Sequence, residues 1–406
     1  MRSLVSLCGL LFLTGFAASS GAGELPAQPG SVRLAVTRCL PFMEKEGLAW
    51  MKSQGCVSCH QIPMMIWSFN ATQRQGFVVE GNKIGEWNER ALKDTFAGNF
   101  IFKLPEKALA DLLQAGASES EVTRLRWMKD REFLRGGDFW QAVAEQLAAE
   151  PAPKLKEQIL KAATKPGLCG AAGDGETAIF AALLPTGITA ATKVPRQAQT
   201  ILLDALVRAR QKDNLWQASA QFYGMNRSRE ETNAVNSGWI VLSLDHFDPL
   251  PEPLASARDR ALAAIKAQPP GASTEWTLVR LMLAHREGES RQEAEWLDKL
   301  WRLQRPDGGW AFRSESPCSD ALTTGQVLYG ITTAGQKLST APLQRAIRYL
   351  LQAQKEDGSW EVPWINFNKE NNKDHTKGTK IFSYWGSGWA LIGLLKTLDG
   401  SAMVAN

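Results

Sequence analysis

Cysteine, histidine and tyrosine are all scarce in this 406-residue chain, at six, four and four residues. So few cysteines over such a length cannot form a disulfide framework, which excludes the small stapled secreted scaffolds. Net charge is scarce too. Lys and Arg number 46 against 42 Asp and Glu, a formal +4 with no long basic run, and this argues against nucleic acid as a partner. Long apolar runs are missing after the first twenty-odd residues, so the mature chain is expected to have no stable membrane span. Apolar material is plentiful, at 44% of residues, and tryptophan is abundant, with fifteen copies. That composition excludes a disordered or collagen-like chain.

The N-terminus reads as a targeting segment. Arg2 supplies a short positive region, Leu4 to Ala17 is uncharged and apolar, and Ala17 to Gly23 is built of small residues. Residues 1–22 are therefore expected to be a secretory signal peptide, cleaved near Ser20 to Gly23, with the mature chain periplasmic or otherwise extracytoplasmic. Cys8 leaves with the signal. Of the remaining cysteines, Cys56 and Cys59 belong to one motif, so at most one intramolecular disulfide can form among Cys39, Cys169 and Cys318.

That motif is Cys56-Val57-Ser58-Cys59-His60, the C-x-x-C-H spacing of covalent haem attachment. Two thiols three positions apart can each add to a porphyrin vinyl group, and the following His is then carried beneath the ring as an axial iron ligand. The segment resembles the attachment site of c-type cytochromes. The resemblance implies one covalent haem c held by Cys56 and Cys59, with His60 as proximal ligand. For the distal position the candidates are Met225 and His375, both in polar, loop-like stretches. A five-coordinate iron with its sixth position open is the alternative. Met64 and Met65 lie too close to His60 on a continuing helix to reach the other face. With Ile62, Ile66 and Trp67 they are expected to pack against the porphyrin. His246, His285, Met128 and Met282 are read as ordinary core or surface residues.

From Pro41 onward, apolar residues recur at helical spacing, with Gly and Pro clusters between the segments. One pattern repeats. Gln304-x-x-Asp307-Gly308-Gly309-Trp310 returns as Gln354-x-x-Asp357-Gly358-Ser359-Trp360, with the Asp-Gly pairs 50 residues apart, and a weaker copy is Lys212-Asp213-Asn214-Leu215-Trp216. Each copy is followed by a helix rich in small residues: Asn236-Ser237-Gly238-Trp239, Thr323-Thr324-Gly325-Gln326 and Gly386-Ser387-Gly388-Trp389. A period of this size marks stacked helical units. Glu46 to Gln54 has the same helix-to-Gln shape, with Cys56 to His60 where the Asp-Gly turn would fall.

These turns resemble the QW repeats of squalene-hopene cyclases and the related prenyltransferase-type α/α toroids. The resemblance implies an all-α fold, an α/α toroid of repeated helix pairs with the haem segment near its N-terminus. The expected segments are 1–22 (signal), 31–130 (haem-bearing helices) and 166–398 (toroid). The acidic cyclase motif is reduced here to Asp320, which reads as a helix cap. A carboxylate at a helix start is expected to have a lowered pKa, so polyene protonation is not expected. The functional expectation is electron transfer by an exported haem c protein with a redox partner protein. The alternatives are a haem-dependent redox enzyme on an apolar, isoprenoid-like small molecule held in the toroid, and a toroid binding module with an electron-relay haem.

Overall fold

The computed structural model describes residues 28–54, 61–87, 110, 113–114, 212–216, 218, 227–245, 250, 252–363 and 372–398, without the side chains of 53–54 and 372–377. Its named elements are all helices: α1 (Pro29–Gln54), α2 (Gln61–Arg74), α3 (Arg229–Leu244), α4 (Glu252–Ala267), α5 (Thr274–Arg286), α6 (Ser290–Leu303), α7 (Ala321–Thr333), α8 (Ala341–Ala353) and α9 (Asn372–Lys396). Among the described residues the only sheet-like pairing is one isolated bridge, Ser273 with Arg313.

Two layers follow from how apolar residues are distributed. Helices α2, α3, α5 and α7 bury most of their residues on every side, and α6 buries only Leu300. A helix apolar all round belongs inside, and one with a single apolar stripe belongs outside. Accordingly α3, α5, α7, α9 and α2 pack side by side in that order as an inner arc, while α4, α6, α8 and α1 each lie behind an inner partner. This is the α/α toroid that the repeats implied.

The repeated turns lock the layers with the same bonds each time. Gln304 Nε2 donates to Gly308 O and Pro342 O, both at 2.8 Å, and Gln354 Nε2 donates to Gly358 O and Ala35 O at 3.0 and 2.9 Å. Trp310 and Trp360 are fully buried, and their indole N–H groups donate to Leu300 O and Leu350 O, both at 2.7 Å. The backbone N–H of each Trp meets a hydroxyl on the next inner helix: Trp216 to Ser237, Trp310 to Thr324, Trp360 to Ser387. The weaker copy is thus a true one. Asp213 Oδ1 accepts from Leu215 N at 3.0 Å as Asp307 does from Gly309 N, and Asn214 takes the positive φ of Gly308, a conformation Asn tolerates better than most residues.

The Gly after each hydroxyl residue sets the helix spacing. A Cβ on Gly238, Gly325 or Gly388 would strike Val279 of α5, the Trp389–Ala390 backbone of α9 or Met64 of α2. The last of these contacts shows how the ends of the chain meet. Gln354 treats Ala35 of α1 as Gln304 treats Pro342 of α8, and Arg38 Nη2 donates to Lys355 O at 3.0 Å. The first helix pair therefore continues the arc after the last.

Candidate functional site

At the centre of the arc four inner helices each contribute one aromatic ring: Trp67, Trp239, Tyr329 and Trp389. Their centroids stand 5.2 Å (Trp67–Trp389), 5.3 Å (Trp239–Trp389), 5.5 Å (Trp67–Tyr329) and 5.8 Å (Tyr329–Trp389) apart. These are attractive tilted and edge-to-face separations. Trp239 and Trp389 follow from the repeat itself, because each stands two places after a hydroxyl that anchors a turn.

One side of this aromatic plate opens into a cavity of about 310 Å³, walled by Trp67, Trp239, Leu242, Met282, Tyr329 and Ala334. Its mouth is formed by the last turns of α3, α5 and α7 with their polar residues Ser243, Asp245, His285, Arg286 and Thr333. Asp245 is held by Arg286 through two bonds, Nε–Oδ2 at 2.5 Å and Nη2–Oδ1 at 2.7 Å. Those bonds, with a further one from Arg286 Nη1 to Glu287, raise the Arg286 pKa, and neither Asp245 nor Arg286 stands unpaired. His285 Nδ1 lies 3.2 Å from Glu293 Oε2 and is 43% exposed on its side chain. Helix C-termini carry partial negative charge, so the mouth disfavours an anion.

The other side of the plate, toward the turns, is polar and closed. Glu275, 3% exposed, accepts from Trp239 Nε1 at 2.9 Å and Gln326 Nε2 at 3.0 Å on Oε1, and from Arg227 Nη1 at 2.6 Å on Oε2. Asp320 caps α7 as expected, accepting from Thr323 N at 2.7 Å, Thr323 Oγ1 at 2.9 Å and Phe312 N at 3.1 Å. Its expected low pKa is corrected. Burial outweighs the bonds and pushes the carboxyl up to about 6.

The residues read from the sequence as a site lie mostly elsewhere. Cys56, Cys59, His60 and Met225 fall outside the described residues, as does Cys169. His375, expected in a loop, lies in helix α9, and its side chain is outside the description. Cys39 is a fully buried free thiol whose pKa burial drives upward. Among the described residues no helix is long and apolar enough to cross a membrane, and no three metal-ligating side chains come together.

No protein-family model and no curated protein matches the chain. Among solved structures, a chain from Salmonella enterica serovar Paratyphi A, described as a possible member of the GH105 family, is 12% identical, with a TM-score of 0.40 over 94% of this chain and 97% of its own. A chain from Klebsiella pneumoniae with the same description is 13% identical, with a TM-score of 0.39 over 94% and 96%. At these values no activity is taken from either. Neither is described as a cytochrome or a cyclase, and the expected kinship with those families is corrected accordingly. The haem c cofactor, electron transfer and both haem-based alternatives fall with it. Packing supplies the physical reason. The α2 face expected to lie on a porphyrin is covered by protein: Met65 sits against Gly47, Met64 against Gly388 and Trp67 against Tyr329 and Trp389.

Proposed function

We propose that this toroid binds a small, uncharged ring compound with an apolar body and one polar group, in the cavity walled by Trp67, Trp239 and Tyr329. The observation that carries the reading is the cavity itself. Its volume of about 310 Å³ stands at the lower end of ligand pockets, roughly 300–1,000 Å³, and its mostly apolar wall with polar groups at one end is the usual pocket design. The mouth selects against charge, because Asp245 and Arg286 neutralise each other and the helix ends repel anions.

Thermal denaturation with phenol, cyclohexanol and benzoate tests this. The neutral rings raise Tm saturably and benzoate does not. Ala334→Phe, which fills the cavity from its wall, abolishes the shift while keeping a cooperative transition. No saturable shift with any neutral ring, or an equal shift in Ala334→Phe, refutes the proposal. Export belongs to the same proposal, supported by the character of residues 1–22. The mature protein then begins between Ser20 and Gly23 by N-terminal sequencing, and an intact Met1 in the mature protein would contradict it.

A further inference from the structure

The cavity wall repeats one arrangement on two helices. Trp239 of α3 and Tyr329 of α7 each give it an aromatic ring, and Ser243 and Thr333 stand four residues later on the same wall. Residues four apart share a helix face, so each hydroxyl residue is set one turn beyond its ring, about 5.4 Å nearer the mouth. Both hydroxyls bond back to the carbonyl of the ring residue itself. Ser243 Oγ donates to Trp239 O and Thr333 Oγ1 to Tyr329 O, each at 2.8 Å.

Those two bonds fix where the protons are. A carbonyl oxygen can only accept, so the single proton of each hydroxyl is spent on its own helix. Ser243 and Thr333 are left with lone pairs, and a hydroxyl that donates becomes a better acceptor. The donors at the mouth are engaged as well. Arg286 has Nε and Nη2 on Asp245 and Nη1 on Glu287, and His285 turns Nδ1 to Glu293 Oε2 at 3.2 Å. The converging helix C-termini add partial negative charge. A ketone or ether oxygen entering here faces lone pairs, whereas the O–H of an alcohol or phenol meets an acceptor.

We propose, resting on the cavity as the ring-binding site, that it selects among neutral rings those whose polar group donates a hydrogen bond: alcohols and phenols over ketones and ethers. Ser243 Oγ and Thr333 Oγ1 are the acceptors that set this specificity.

Calorimetric titration of the full chain with cyclohexanol and cyclohexanone, which share ring and oxygen but differ in the hydroxyl proton, tests the assignment. Cyclohexanol binds about tenfold more tightly, a difference of one hydrogen bond. Ser243→Ala combined with Thr333→Val, first shown to unfold cooperatively, removes both oxygens and brings the two affinities together by weakening cyclohexanol. If the double variant fails to fold, the two single variants take its place, each narrowing the gap. Thr333→Ser keeps the oxygen and the preference. Cyclohexanone binding as tightly as cyclohexanol to the unaltered chain would overturn the donor preference while leaving the cavity a ring-binding site. A preference undiminished in the folded variants would overturn the role of Ser243 and Thr333. Saturable binding of neither ring would overturn the cavity as a binding site and the preference with it.

Discussion

Asp320 offers the sharpest test of how burial and capping balance in this fold. In the unfolded chain its carboxyl titrates near 3.8, and in the folded chain near 6. Between those values the folded state keeps the proton and the unfolded state releases it. The native state then binds more protons, so stability is full below about pH 4 and is lost as pH rises through 6. Two pH units at about 1.4 kcal/mol each make the change roughly 3 kcal/mol. Asn resembles the protonated acid: one oxygen accepts from Thr323 N, one amide faces Thr323 Oγ1, and nothing titrates. It also leaves Phe312 N–H without its acceptor, which costs about 1–3 kcal/mol. Asp320→Asn is therefore destabilising at pH 4 and close to neutral at pH 7. Urea unfolding of both proteins at pH 4, 5, 6 and 7 checks this, because every other titrating group cancels in the difference. A difference that stays flat, or that moves against Asn as pH rises, would show that the three hydrogen bonds outweigh desolvation.

Two further expectations concern the turns. Trp310→Ala removes a fully buried indole bonded to Leu300 O, and should lower stability by about 3–5 kcal/mol in urea unfolding. A loss near zero would mean that the turn does not clamp its helix pair. Gly335 and Gly358 share a positive φ, but a Cβ at 335 meets nothing whereas one at 358 strikes the Arg38 carbonyl of α1. Gly335→Ala should cost only the backbone strain, about 1–2 kcal/mol, and Gly358→Ala clearly more. Equal urea midpoints would deny that the first helix pair is seated on the last turn.

The repeats were legible because a turn is a local device. Gln, Asp, Gly and Trp at fixed spacing make bonds within a few residues of one another, and even Asn214 in place of Gly keeps the pattern readable. The continuation by α1 was half legible: Gln54 ends a helix of the right shape, but the bond from Gln354 to Ala35 joins residues 319 apart in sequence. The aromatic plate was not legible, since Trp67, Trp239, Tyr329 and Trp389 come from four different helices, and an aromatic at helical spacing looks the same whether it faces a neighbour or a cavity. His375 was misread for a related reason: the start of α9 is polar and lacks apolar periodicity, so it looked like a loop. Asp320 shows the limit most plainly. Sequence displays the helix start that lowers a carboxyl pKa and hides the burial that raises it further. Met64 and Met65 show it again, because a sulfur-rich helix face suits a porphyrin or a neighbouring helix equally well.

Methyl NMR of the methionine-labelled protein titrated with phenol tests the cavity most directly. Met282 is the methionine on the cavity wall, and Met43 is fully buried in the core. With phenol against Trp239 and Tyr329, the Met282 methyl signal moves saturably through the ring current while Met43 stays fixed, and Ala334→Phe removes the movement. A Met282 signal unmoved by phenol, or one that drifts linearly together with Met43, would contradict ligand binding at the aromatic plate.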